Sequence, residues 1–262
     1  MNLQTGEISG GVSVSNKKIL NPMQPLNREE ISYAAEVVKN HLGGKASTYR
    51  FETIQLVEPS HEELSAFQAN KKITRSARVV VYRFGGSGVN IFEVLLTTGV
   101  IIEEKYIENA RPMIQLEEFM DIENAVKEDD RFIEGCKKRG IFDMDLVCVD
   151  PWSAGSFGPK EEAGRHVSHT FAWIRNSPRD NLYAHPIEGL NATVDISTME
   201  VLTVSDRKTF PTPKLSSNYA ADLLDSVRNP LKPISISQPQ GVSFKFLDGK
   251  IHWDNWSMVI GF

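Results

Sequence analysis

Sulfur is scarce in this chain, and long apolar runs are absent. Two cysteines among 262 residues, Cys136 and Cys148, are too few for a disulfide framework. Both fall in patterns internal to a helix and a strand, so they are expected as free buried thiols. The longest apolar runs, such as Val79–Tyr82 and Val94–Leu96, fall far short of a bilayer span, which argues against a membrane partner. A basic excess is missing too: the net charge is −5, and no basic stripe offers itself to nucleic acid. Residues Met1–Leu20 lack the apolar core of a secretory signal and read as a flexible polar arm, so a cytoplasmic location is expected. Without a secretory route, the N-x-S/T sequons at Asn191 and Asn255 are chance matches. Phosphate-cradling glycine spacings are also lacking. Gly85-Gly86-Ser87-Gly88 joins two strands rather than a strand and a helix, and reads as a hairpin turn.

What is present is ordered. Asn27 with Glu30 three residues on makes a capping box, followed by Ile31, Ala34, Ala35 and Val38 at helical spacing until Gly43-Gly44. A strand over Tyr49–Leu56, a short helix near Ser60–Lys71 and strands over Ala77–Phe84, Asn90–Leu96 and Val100–Tyr106 follow. Asn109-Ala110-Arg111-Pro112 reads as a boundary, because the order then repeats. A helical region, Leu116–Arg139, breaks near Asp129. Strands are expected over Met144–Val149, Val167–Arg175, Tyr183–Glu188, Thr193–Asp195 and Met199–Val204. The fold class is therefore α+β: two domains, 21–110 and 111–210, each with a helix on an antiparallel sheet. Ile31, Ala35 and Val38 should face the first sheet, and Phe119, Ile122 and Val126 the second. The arm occupies 1–20, and 211–262 is a Pro-rich extended tail. No residue-level periodicity accompanies the repeated order.

Candidate chemistry is thin. His166-Val167-Ser168-His169 is the one local histidine pair, but positions three apart on a strand point to opposite faces. His185, before Pro186, reads as positional. Asp143 with Asp145, and Glu161 with Glu162, have no companion base, nucleophile or ligand. Trp253 and Trp256, taken as one strand, would lie on opposite faces, so 251–262 should pair with a second copy or fold against the second domain, or else be mobile and prone to associate.

Several blocks carry a resemblance. They are Asn21-Pro22-Met23-Gln24-Pro25-Leu26 with Glu29-Glu30-Ile31, then Gln55-Leu56-Val57-Glu58-Pro59, and Lys138-Arg139-Gly140-Ile141. Asp150-Pro151-Trp152-Ser153-Ala154-Gly155 and Asp180-Asn181-Leu182-Tyr183-Ala184-His185-Pro186-Ile187-Glu188-Gly189-Leu190 follow, then the run from Pro230 to Phe262. Together they resemble the N-terminal second and third domains of copper/quinone primary amine oxidases, most like bacterial tyramine or phenylethylamine oxidases. The resemblance implies two cystatin-like domains, with 211–262 as the connection and the first strands of a catalytic β-sandwich. With Phe262 last, the chain is expected to lack that catalytic domain. The family's topaquinone forms from Tyr in T-x-x-N-Y-D/E; here Asn218-Tyr219 is followed by Ala220, and Leu215 stands at the Thr position. Its copper takes an H-x-H pair plus a third His. His41, His61, His166, His169, His185 and His252 include no such pair. Catalytic, cofactor-binding and metal residues are therefore none, and no cofactor is expected in this chain. The resemblance implies a non-catalytic region that shapes the substrate channel and supports the dimer. Its expected partner is the catalytic β-sandwich, or a second copy through the tail. A free-standing cystatin-like ligand- or protein-binding module is the alternative.

Overall fold

The computed structural model describes residues 21–68, 73–155 and 157–260. The arm expected over 1–20 and the last residues of the helix expected near Ser60–Lys71 lie outside them. The described residues form two compact units, 21–84 with 88–110 and 235–260, and 85–87 with 111–234.

In the first unit, α1 (Arg28–Leu42) packs on an antiparallel meander of β1 (Tyr49–Leu56), β2 (Ser76–Arg83), β3 (Gly88–Leu95) and β4 (Ile101–Glu108); α2 (His61–Gln68) lies between β1 and β2 in the chain. The capping box forms as the spacing predicts: Asn27 Oδ1 accepts from Glu30 N–H at 2.9 Å, and Glu30 Oε2 accepts from Asn27 N–H at 2.9 Å. The buried stripe of α1 is Glu30, Ala34, Val37 and Val38, so Ile31 is 38% exposed rather than turned to the sheet. Glu30 is drawn inward by Arg75, and this rotates the inner face by one residue. Val79, Val81, Phe92 and Val94 meet that stripe. The strict alternation of β1 is broken at Glu52, where the register shifts, so Phe51 and Ile54, three apart, both reach the core.

In the second unit, α3 (Leu116–Lys127) and α4 (Asp130–Lys137) cover a second meander, β5 (Val147–Ser153), β6 (Val167–Ile174), β7 (Leu190–Asp195) and β8 (Glu200–Asp206). Asp129 caps α4 through Arg131 N–H at 2.9 Å, which divides the helical region at the predicted residue. Ile122, Val126, Phe132, Cys136, Val147, Leu190 and Val194 fill the core. Phe119 stays at the margin, because buried Glu118 takes the inward position one residue earlier. Two expected strand segments are not strand. Met144–Leu146 is a 3-10 turn started by the Asp143 carboxylate accepting from Asp145 N–H, and Leu182–Ala184 is another, with only Pro186 bridging to Trp173 afterwards. A proline lacks the N–H that a ladder needs. Among the described residues no helix is long and apolar enough to cross a membrane.

The tail is more than an extended connection. Its end is a three-stranded antiparallel sheet grouped with the first unit, β9 (Phe244–Leu247), β10 (Lys250–Trp253) and β11 (Trp256–Met258). Asp248 and Gly249 turn β9 into β10 at φ 50 and 74, and the next turn has Asp254 at φ 50.

Candidate functional site

The last sheet carries a cluster of exposed aromatic side chains. Its register sets Trp253 opposite both Phe244 and Trp256, and Ile251 opposite both Phe246 and Met258. Directly opposed residues share a face. These six apolar side chains therefore lie on one side, and Lys245, Leu247, Lys250, His252 and Ser257 contribute to the other or its margin. The expectation that Trp253 and Trp256 occupy opposite faces fails, because a turn at Asp254-Asn255 puts them on neighbouring strands. The missed signal is the pair of turn-forming dipeptides, Asp248-Gly249 and Asp254-Asn255, a strand's length apart. Phe246 is 68% exposed, Trp253 51% and Trp256 64%. Each indole offers about 200 Å² of largely apolar area, so leaving both wet forgoes a few kcal/mol at about 25 cal/mol per Å².

The second unit shows an aromatic face of another kind, on the outer side of β5 and β6. Trp152 and Phe171 meet edge to face at 6.4 Å, and Trp173 and Tyr183 at 5.0 Å. Asp150 stands among them: its carboxylate accepts from Trp152 Nε1 at 3.3 Å and lies 3.5 Å from Tyr183 Oη. Its charge pushes the Tyr183 phenol upward.

The histidines do not converge. His41 pairs with Glu104 at 3.0 Å, His169 with Glu162 at 3.0 Å, and His166 Nε2 donates to the Pro112 carbonyl at 3.0 Å. Burial holds the His166 imidazole below its usual range. His185 is fully buried, with Nε2 2.9 Å from Asp180 Oδ2 and Nδ1 donating to the Pro213 carbonyl at 2.7 Å. Its positional reading thus acquires partners that the sequence did not point to. Asp143 and Asp145 are joined through the turn at 144–146, and Glu162 serves His169. Tyr219 is exposed, while Asn218 Oδ1 accepts from Asn181 N–H at 2.9 Å. Among the described residues no three His, Cys, Asp or Glu side chains gather as a metal site. Burial raises the Cys136 thiol to about 11 and also raises that of Cys148, so neither is a ready thiolate.

Comparison with known proteins decides the family. Residues 21–107 match the copper amine oxidase N2 domain, and residues 117–222 the copper amine oxidase N3 domain. The chain belongs to the copper amine oxidases. A primary amine oxidase of Arthrobacter sp. (strain P1) is 33% identical over 247 residues, covering 93% of this chain and 37% of that protein. The peroxisomal N-methylputrescine oxidase 1 of Nicotiana tabacum is 28% identical, with 99% and 38% covered. The chain thus spans little more than a third of the length of these relatives. Its fold matches that of a copper-containing benzylamine oxidase from Hansenula polymorpha at a TM-score of 0.69 and 20% identity, over 92% of this chain and 40% of that one. The α+β architecture expected from the sequence is that of the amine oxidase N-terminal domains.

Proposed function

We propose that this chain supplies the non-catalytic N2 and N3 domains of a copper-dependent primary amine oxidase, and that its last sheet docks on the catalytic β-sandwich. The carrying observation is the sheet 244–258, which sets six apolar side chains on one face, five of them exposed. Two sheets pack face to face through such surfaces about 10 Å apart. A second β-sheet is therefore the occupant whose shape and chemistry fit. The chain's span of 37% of an amine oxidase's length supports the same reading.

In that enzyme a primary amine would be oxidised to an aldehyde, with release of ammonia and hydrogen peroxide. Copper and topaquinone would belong to the catalytic part, because the 262 residues contain no H-x-H pair and no Asn-Tyr-Asp/Glu. The contribution of this chain is architectural. The ring of Trp152, Phe171, Trp173 and Tyr183 around Asp150 suits a wall of the amine's route, where aromatic faces and one carboxylate attract an ammonium. Support of the dimer is the second part of the role.

The test is to co-express the chain with the catalytic part of the Arthrobacter oxidase. Stable co-purification, a blue shift of tryptophan emission and amine-dependent peroxide only in the complex are expected. Peroxide from the chain alone, or no association and unchanged emission, would overturn the reading. Trp256→Lys should abolish association without unfolding either unit.

A further inference from the structure

Between β8 and β9 the chain carries no regular strand or long helix, yet residues 213–222 are fastened to the second unit by five hydrogen bonds. The loop between β6 and β7 makes every one of these contacts. His185 Nδ1 donates to Pro213 O at 2.7 Å, and Asn176 Nδ2 to Ser216 Oγ at 3.4 Å. Asn181 Nδ2 donates to Ser217 O at 2.8 Å, and Asn181 N–H to Asn218 Oδ1 at 2.9 Å. Arg179 Nη2 donates to Asp222 Oδ2 at 2.6 Å. The centre of the loop is tied to itself: Asp180 Oδ2 accepts from Asn176 N–H at 3.0 Å and lies 2.9 Å from His185 Nε2. The side chains of Asp180 and His185 are 3% and 0% exposed. The Asn176 N–H first, then the side chains of Asn218 and Ser216, hold the Asp180 carboxyl below the usual carboxylate range against the effect of its burial. A buried imidazole with a partner on each nitrogen has one ring orientation, and that orientation aims Nδ1 at Pro213.

We propose that the loop Asn176–His185 is a clamp, with His185 as its positioning residue, and that it fixes the path by which the chain leaves the second unit. Residues 213–222 are then a part of that unit rather than a free linker. The family match agrees: it runs from residue 117 to residue 222, beyond the end of β8 at Asp206 and as far as the last clamp contact. The sequence hides the device, because His185 and Pro213 stand 28 positions apart and the acceptor is a main-chain carbonyl.

Limited trypsin digestion of the full chain tests it, with the Lys214–Leu215 bond inside the clamp and the Arg228–Asn229 bond beyond it as internal reference. Both lysine and arginine are exposed, so side-chain access alone would cut them alike. In the parent chain Lys214 should be cut about tenfold or more slowly than Arg228, because cleavage requires local release of the backbone. His185→Phe should bring the two rates together, with hydrogen exchange of β5–β8 monitored to show that the sheet persists. Should that variant unfold, Asn218→Ala and Asp222→Ala decide, since both lie on the connection and outside the core. Together they should speed the Lys214 cut several-fold and leave the Arg228 cut unchanged, while Asp225→Ala alters neither. Equal rates at the two bonds in the parent chain, or a ratio unmoved by these substitutions, would overturn the proposal.

Discussion

The two units solve one problem with different chemistry. In each, the residue just before the second strand of the meander reaches back to the carbonyl of a proline in the segment that leads into the helix. In the first unit Arg75 donates to Pro22 O at 2.8 Å; in the second His166 donates to Pro112 O at 3.0 Å. Each helix opens with a buried glutamate that accepts from the N–H at its cap position, Glu30 from Asn27 and Glu118 from Gln115. Beyond that the units part. Arg75 forks onto both oxygens of Glu30 at 2.9 and 3.0 Å and also serves Gln24 O and Pro25 O, with both side chains 5% exposed or less. The His166 contact is one hydrogen bond at a half-buried site. In the first unit one side chain, Arg75, thus carries both the lead-in contact and the charge pair with the buried glutamate.

That difference has an energetic consequence. Arg75→Met would leave a buried carboxylate without its counter-charge and deprive up to three carbonyls of a donor. The first unit should lose about 3–5 kcal/mol, as when one member of a buried pair is removed. His166→Phe removes one neutral bond and should cost the second unit about 1 kcal/mol. Denaturant titration followed by hydrogen exchange, read separately on β1–β4 and β5–β8, gives both numbers. The double change Glu30→Leu with Arg75→Met should recover most of the first loss, since an apolar pair of similar volume needs no desolvation. Equal losses in the two units would show that the fork adds nothing to the lead-in contact.

The same residues show what was legible beforehand. Asn27 and Glu30 announce a capping box by spacing alone, since both partners are local. That Glu30 points inward was not legible, because its reason, Arg75, lies 45 positions away. The error passed to Ile31, which took the place of Glu30 in the expected inner face, and recurred at Phe119 beside Glu118. Periodicity finds a helix reliably but places its buried arc only to within a residue when a polar side chain is taken into the core. The late sheet failed for a different reason. Its strands are only three or four residues long, and the aromatic residues at their ends draw attention away from the turns.

A second correspondence lies at the last hairpin of each meander. Gly99 N–H donates to Leu95 O at 2.8 Å, and Met199 N–H to Asp195 O at 2.7 Å. Both residues take positive φ, 67 and 58, and Leu96 and Ile196 are buried alike. A register shift follows in each, with Val94 opposite Ile101 and Val194 opposite Val201. The first unit meets the left-handed position with glycine, the second with methionine. A side chain at Gly99 would meet more than the backbone penalty: its Cβ would stand 2.5 Å from Tyr33 Oη and 3.2 Å from Val37 Cγ2. Gly99→Ala should therefore cost the first unit about 2 kcal/mol, the left-handed term plus overpacking against α1. Thermal unfolding of the single variant measures it, and Tyr33→Phe in the same background should return part of the loss by removing the nearest atom.

The reverse change in the second unit should do almost nothing, for reasons that oppose each other. Met199 is half-buried against the core of that unit, so shortening it to glycine forgoes apolar contact. A fully buried methionine cut back to alanine costs about 2–5 kcal/mol, and a half-buried one at a hairpin should lose near or below the lower end of that range. Against this, an L side chain in the left-handed region carries about 1–2 kcal/mol of strain, which glycine releases. The two terms nearly cancel, and Met199→Gly should shift the stability of the second unit by less than about 1 kcal/mol. Met199→Asn separates them, because asparagine tolerates positive φ while offering little apolar area. It should fall close to the glycine variant. A loss above about 2 kcal/mol for Met199→Gly, in the range of an ordinary truncation, would mean that the methionine carries no strain at φ 58. The two hairpins would then be alike in outline only.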